Sequence, residues 1–364
     1  MPKLFIIDET WQKHPWYSTG GTRAKEYLAD AEGKYYYFKR SQYKPAAAGK
    51  PEKNFKYEFW SEIVAYEVGS RLGFDVLPYY LAIDKEGPGC ICASMINSDK
   101  EELIEGIKYL QAFDNSFDPE KTEQRNRYTF QLIDHALSQF KLGAYIEYLM
   151  ETFVFDCIIG NGDRHQENWA VISEYGPTAL GVNEIMADFP TLRQTKHHWQ
   201  HKLLDVIAAL YRDKKSKEDL KRLKLNATND KIRFAPIYDN GSSLGRELTD
   251  ERVNELVQSD AKVNRYIENG LSEIHWEGNS KKLSHFAFLT KLQESSYCET
   301  IEEIIKRVVT RFSEQEVKQV VYNVDDSLPE SYREYMIPLN RKELIVKLIT
   351  LRIKKLGALI HEGV

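Results

Sequence analysis

The hydrophobic pattern divides the chain into a strand-rich first part and a helical remainder. Short apolar or aromatic runs at residues 4–7, 35–38 and 90–96 predict β-strands, and residues 30–33 are typical of a hairpin turn. Beyond about residue 128, apolar residues recur with the spacing of a helix face. The pattern therefore predicts an α+β chain with a small β-rich part and a large, mostly helical part.

One predicted helix lies within the strand-rich part. Residues 57–73 carry an apolar stripe that begins at Phe59, and Gly73 is typical of a helix C-terminal stop. Glu58 and Glu62 lie one turn apart on the same face of this helix. Such a pair most often faces solvent, but either residue could also meet a lysine from a neighbouring strand.

A polar loop between two apolar runs carries the strongest chemical signal. Asp163 and Asn168 are five positions apart in this loop, which is the spacing of the catalytic Asp and the metal-binding Asn in phosphoryl-transfer enzymes. Asp239 follows another short apolar run and is part of an Asp-x-Gly sequence. Asp163 would accept the proton of an acceptor hydroxyl, while Asn168 and Asp239 offer the oxygen ligands that Mg²⁺ prefers.

Upstream signals occur in the order that a nucleotide-dependent kinase requires. Lys39 ends an aromatic strand, where it could neutralise phosphate oxygens, although a solvent-facing lysine is commoner. The apolar run that includes Met95 would place backbone against an adenine ring. A glycine-rich stretch lies just before the hairpin and consists of Ser18, Thr19, Gly20, Gly21 and Thr22. Its backbone N–H groups could approach phosphates closely. Taken alone, however, the stretch is better interpreted as an ordinary turn.

Two segments, 161–168 and 236–239, resemble the HipA-like serine/threonine kinases, whose loop has the order Asp-Arg-His-x-x-Asn. The resemblance implies a bilobal protein-kinase-like fold, ATP, magnesium and a Ser or Thr hydroxyl of a protein as acceptor. It selects Glu62 over Glu58 as the partner of Lys39, because the family's helix carries its Glu eleven residues before a Gly. It also implies an antitoxin-like partner and autophosphorylation of the glycine-rich stretch as a brake, with the candidates Ser18, Thr19 and Thr22.

The same comparison predicts the domain organisation. Residues 1–97 form the N-lobe and residues 98–364 the helical C-lobe, in the shorter, stand-alone form of the family. Residues 176–230 are an insertion between the two metal-ligand segments, and its histidines lack the further ligands of a zinc site. The loop at 242–247 is polar and is predicted to be a flexible, activation-type loop, and residues 87–89 are predicted to form a turn.

Composition excludes several classes of protein. The net charge of −5 gives no support for nucleic-acid binding. The four cysteines include no Cys-x-x-Cys pair, and no apolar stretch is long enough to span a bilayer. We therefore expect a reduced, cytoplasmic protein without a membrane partner.

Two alternatives to a protein kinase remain open. A phosphoinositide or small-molecule kinase would share the loop that carries Asp163. A lipid substrate would favour a basic activation-type loop, but the segment 242–248 is not notably basic. A nucleotide-binding pseudokinase that acts as a scaffold is disfavoured by the joint presence of Lys39, Asp163, Asn168 and Asp239.

Overall fold

The computed structural model describes most of the chain, in the ranges 3–14, 25–44, 52–174 and 231–361. The glycine-rich stretch 18–22 and the predicted insertion 176–230 lie outside these ranges. The chain divides into two compact units. The first comprises Met1–Met95, Glu147–Asn168 and Pro236–Val364, and the second comprises Ile96–Ile146 and Trp169–Ala235. The proposed lobe boundary near residue 97 stays a prediction.

A six-stranded, mostly antiparallel sheet forms the N-terminal part of the first unit. Its strands lie in the order β1-β7-β8-β4-β3-β2, and β5 and β6 form a separate pair. In chain order the strands are β1 (Leu4–Ile6), β2 (Gln12–Lys13), β3 (Glu26–Ala29), β4 (Tyr35–Lys39), β5 (Tyr43–Lys44), β6 (Lys53–Asn54), β7 (Tyr80–Asp84) and β8 (Gly87–Ala93). The predicted hairpin is present as the antiparallel pair β3 and β4.

The predicted turn at 87–89 is wrong, because these residues begin strand β8. The turn lies at residues 85–86. There the Asp84 carboxylate accepts hydrogen bonds from the backbone N–H groups of Glu86 and Gly87. Gly89 is needed for packing, since a Cβ there would lie 2.3 Å from the Lys39 carbonyl oxygen. Gly89 therefore marks a close contact between strands instead of a turn.

Helix α1 (Glu58–Leu72) packs against β8 and ends at Gly73, as predicted. Gly73 has a φ of +86°, the left-handed conformation that glycine adopts without strain. Burial extends well beyond the predicted apolar stripe, because residues on nearly all sides of the helix are buried. The helix has the sheet on one side and two C-terminal helices on another, so even Glu58 and Glu62 lie inside.

The remaining helices of the first unit follow the predicted helical pattern. They are α4 (Ile146–Ile159), which begins at the boundary between the units, α5 (Asp250–Val257), α6 (Asp260–Glu268), α7 (His285–Gln293), α8 (Cys298–Arg311), α9 (Glu314–Asn323) and α10 (Leu339–His361). Short 3₁₀ segments also occur among the described residues. The apolar side chains of α5, α6 and α10 form one buried cluster, and α10 also packs on α8 and α9. The predicted α+β class is therefore confirmed.

The second unit contains a three-stranded antiparallel sheet and short helices. Among the described residues, its helices and strands are α2 (Gly106–Phe113), α3 (Phe130–Gln139), β9 (Glu101–Glu105), β10 (Ala170–Glu174) and β11 (Ile232–Phe234). Trp169 anchors it through a 3.0 Å hydrogen bond from its indole nitrogen to the Tyr128 hydroxyl. A Cβ at Gly106 would lie 2.1 Å from the Trp169 ring, so only glycine fits there. In the described ranges, no helix has both the length and the apolar composition that a membrane span requires.

A buried histidine predicts how stability depends on pH. His285 on α7 is 4% exposed, and burial together with the nearby Arg352 charge lowers its pKa from 6.5 to about 3. Between these two values the unfolded chain binds a proton that the folded chain does not. As the pH falls from 6.5 towards 3, the free energy of unfolding should therefore fall by roughly 1.4 kcal/mol per pH unit. Above pH 6.5, His285 should contribute little to the pH dependence of stability.

Urea unfolding between pH 4 and pH 8 tests this contribution. His285→Leu should flatten the acidic decline relative to the wild type. The exposed His135 provides the matched variant, and His135→Leu should keep the wild-type slope. Equal slopes for His285→Leu and the wild type would contradict the assignment.

Candidate active site

Lys39 lies at the centre of a buried charge cluster in the first unit. It ends β4, is 7% exposed, and its Nζ lies 3.0 Å from Glu62 Oε1 and 3.1 Å from Asp239 Oδ1. Burial alone would lower the pKa of Lys39, but the carboxylates of Asp239 and Glu62 raise it well above the usual range. The lysine is therefore held as a cation between two carboxylates.

The structure separates the two glutamates that the helix pattern left equivalent. Glu62 accepts from Lys39 with one oxygen and from the backbone N–H of Asn240 with the other, at 2.7 Å. Glu58 instead binds the guanidinium of Arg246 at 2.7 Å. Glu62 thus links α1 both to the strand lysine and to the segment that carries Asp239.

Asp239 lies in an unusual backbone conformation. Its φ is +57°, in the left-handed region that non-glycine residues enter at a cost and that is often found at functional sites. A second lysine, Lys25 immediately before β3, lies 3.4 Å from the other carboxylate oxygen of Asp239. Sequence reasoning missed Lys25, because a lysine beside a glycine-rich stretch has no distinctive spacing.

The loop after α4 brings Asp163 and Asn168 together. The Asn168 side-chain nitrogen donates to the Asp163 carbonyl oxygen at 2.7 Å, and the Asp163 backbone N–H donates to Asn161 Oδ1 at 3.1 Å. The Asp163 carboxylate accepts from the Ser242 hydroxyl at 2.9 Å. Asp163 is half-buried and the preceding Gly162 is exposed, so the carboxylate lies where an incoming hydroxyl could reach it.

Arg164 joins this loop to Tyr238 and Asn240, the residues on either side of Asp239. It is 2% exposed and donates to the backbone oxygens of Asn168, at 2.9 Å, and Tyr238, at 2.5 Å. It also donates to the Asn240 side-chain oxygen at 2.8 Å. One guanidinium therefore fixes both candidate ligand segments in one arrangement.

Asp156 on α4 balances the charge of Arg164 through two hydrogen bonds of 2.9 and 2.7 Å. Burial raises the pKa of Asp156, and Arg164 opposes that rise. Sequence reasoning missed both residues. An available signal was an ionisable residue inside an otherwise apolar helix run, which requires a buried partner.

The loop at 242–247, predicted to be polar and flexible, is partly buried. Ser243, Leu244 and Gly245 are buried, and Ser243 Oγ donates to the Asn240 carbonyl oxygen at 2.6 Å. Its polar side chains are used in internal hydrogen bonds, which a polar composition alone does not reveal. The loop is therefore packed against the site.

The donor set fits a hard divalent cation. Asp239 supplies carboxylate oxygens, and Asn168 supplies an amide oxygen because its nitrogen is already bound to the Asp163 carbonyl. Asn168 and Asp239 are both buried, at 5% and 6% exposed. Met95 is half-buried after β8, and its role against a nucleotide stays a prediction, as does the role of the glycine-rich stretch outside the described residues.

Comparison with known proteins places the fold. No protein-family model matches the chain, and no curated protein matches its sequence. Among solved structures, the Helicobacter pylori proinflammatory kinase CtkA superimposes with a TM-score of 0.66 at 17% identity, over 100% of this chain and 99% of CtkA.

A chain of the HipA, HipB and operator DNA toxin–antitoxin complex of Shewanella oneidensis MR-1 is matched more weakly. Its TM-score is 0.41 at 10% identity, over 96% of this chain and 66% of that chain, which does not establish a shared fold. The similarity to CtkA extends over both chains from end to end. The chain therefore has a kinase-like fold of the kind found in CtkA.

Proposed function

We propose that the protein is an ATP- and magnesium-dependent kinase that phosphorylates Ser or Thr hydroxyls of a protein. The observation that carries the proposal is the buried cluster in which Lys39 contacts both Glu62 and Asp239, tied through Arg164 to the Asp163 loop. Phosphoryl transfer depends mainly on positioning and on neutralising charge, which such a preorganised cluster provides. The fold shared with CtkA supports the same conclusion.

Each residue has a role that follows from its chemistry. Asp163 accepts the proton of the acceptor hydroxyl, and Lys39 neutralises phosphate oxygens of ATP while Glu62 holds it in place. Asn168 and Asp239 would hold Mg²⁺, which supplies charge neutralisation between the phosphate groups when bound. Arg164 keeps the two ligand segments in register.

The finer assignments come from the family resemblance. They are the protein acceptor, self-phosphorylation at Ser18, Thr19 or Thr22, the antitoxin-like partner and the cytoplasmic location. Buried, unpaired thiols at Cys90, Cys92 and Cys157 are in keeping with a reducing compartment.

Transfer of labelled γ-phosphate tests the proposal. The chain is incubated with Mg²⁺ and γ-labelled ATP, alone and with casein, and the phosphorylated residues are identified after hydrolysis. We expect label on serine or threonine, lost when EDTA removes the metal. Self-phosphorylation sites mapped to Ser18, Thr19 or Thr22 would support the brake.

Each other outcome points elsewhere. Label on phosphoinositide vesicles but on no protein would favour the lipid-kinase alternative. Thermal stabilisation by MgATP without turnover would favour a pseudokinase scaffold. If the chain shows no phosphate transfer and no stabilisation by MgATP, the proposed nucleotide-dependent function is overturned altogether.

A further inference from the structure

The Ser242 hydroxyl has a fixed direction. Arg246 Nη2 donates to Ser242 Oγ at 2.9 Å, and an arginine can only donate. The single proton of the hydroxyl is therefore left for another acceptor, and Asp163 Oδ2 lies 2.9 Å away. A charged donor on one side and a carboxylate on the other make Ser242 a directional link between Arg246 and Asp163.

Arg246 is itself held in place on several sides. Its Nη1 donates to Glu58 Oε1 at 2.7 Å, and its guanidinium carbon lies 4.2 Å from the centre of the Phe55 ring. Glu58 is 4% exposed, and its second oxygen accepts from the backbone N–H of Gln42 at 3.0 Å. The guanidinium that orients Ser242 is therefore a fixed group.

Helix α1 controls both ends of the segment from Asp239 to Arg246. One turn of the helix places Glu62 on Lys39 and on the Asn240 N–H group. The preceding turn places Glu58 on Arg246. Any shift of α1 would disturb the phosphate-binding lysine and the link to Asp163 together.

We propose that Ser242 is a positioning residue that orients the Asp163 carboxylate, and that Arg246 and Glu58 couple this orientation to α1. The inference rests on the proposed kinase function and deepens it. A link of this kind favours transfer only when α1 and the Asp239 segment are in place. Ser242 acts through Asp163 and contacts no phosphate group in this scheme.

The neighbouring Ser243 provides a matched control. Its hydroxyl donates to the Asn240 carbonyl oxygen at 2.6 Å and stabilises the turn of the loop. If hydroxyls in this loop served only its folding, Ser242→Ala and Ser243→Ala would have comparable effects on stability and on activity. A positioning role predicts that only Ser242→Ala lowers kcat beyond its effect on the folded fraction.

Single-turnover and steady-state transfer of labelled phosphate to casein, with MgATP affinity measured separately, test the proposal. Ser242→Ala should lower kcat roughly ten-fold or more, with the Kd for MgATP unchanged, because a hydrogen bond to a charged group is lost. Ser242→Thr, which keeps the hydroxyl, should recover most of the rate. Arg246→Met should resemble Ser242→Ala, and the double variant should be no slower than the slower single variant.

The outcomes separate this inference from the proposed function. An active wild type with Ser242→Ala as fast as Ser243→Ala would overturn the inference alone. A weaker Kd for MgATP at unchanged kcat would also overturn it, since Ser242 would then act in nucleotide binding. A wild type without any transfer would remove the proposed function and this inference together.

Discussion

Replacing Asp163 with Asn should lower phosphoryl transfer about a thousand-fold, within the range for loss of a general base. Asn has the shape of Asp but cannot take up the proton of the acceptor hydroxyl. Its side-chain oxygen can still accept the Ser242 hydroxyl bond, so the loop should keep its structure. The initial rate of label transfer from γ-labelled ATP to casein measures the loss.

The exposed Asp326 allows the same chemical change away from the site. Asp326→Asn should transfer phosphate at the wild-type rate. Both variants should unfold at the wild-type temperature, and MgATP should stabilise Asp163→Asn as it does the wild type, since Asp163 does not hold the nucleotide. Transfer by Asp163→Asn within about three-fold of the wild type would reject Asp163 as the base.

The long helices and the loop that carries Asp163 could be predicted from sequence for a simple reason. Helices such as α8 and α10 repeat apolar residues every three or four positions, so local periodicity specifies them. Gly73 ended α1 as expected, because its left-handed conformation is a local property of glycine. The spacing of Asp163 and Asn168 is likewise short and local.

Features that depend on distant residues could not be predicted in the same way. Residues alone left Glu58 and Glu62 equivalent, and three-dimensional packing gives one of them to Lys39 and the other to Arg246. The burial of α1 depends on elements more than two hundred residues later in the chain. Periodicity along one helix contains no information about how many partners surround it.

The polar loop at 242–247 illustrates the same limit. Its composition is that of an exposed loop. In the structure, however, Ser242 donates a hydrogen bond to Asp163, and Arg246 donates to Glu58 and to Ser242. A polar residue looks the same in sequence whether water or a buried carboxylate is its partner. Only the folded arrangement distinguishes the two cases.

Replacing Arg164 with Met should lower the free energy of unfolding by about 3–5 kcal/mol, which is typical when one partner of a buried ion pair is removed. Asp156 would remain buried without its cation, and the carbonyl oxygens of Asn168 and Tyr238 would lose their donor. Chemical denaturation monitored by tryptophan fluorescence measures the change.

The exposed pair of Arg333 and Glu330 provides the matched control, because the Arg333 side chain is 77% exposed. Arg333→Met should change stability by less than about 1 kcal/mol. Adding Asp156→Leu to Arg164→Met should recover part of the loss, since no buried charge then lacks a partner. Equal denaturation midpoints for Arg164→Met and Arg333→Met would contradict the central role of Arg164.

Phosphoryl transfer by Arg164→Met adds a second measurement. The Arg164 side chain holds the backbone on both sides of the cluster. At a temperature where the variant is fully folded, transfer should still fall at least ten-fold, because misplacement of about 1 Å is enough for such a loss. Wild-type transfer by the folded variant would show that Asn168 and Asp239 keep their register without Arg164, and that its contribution is to stability alone.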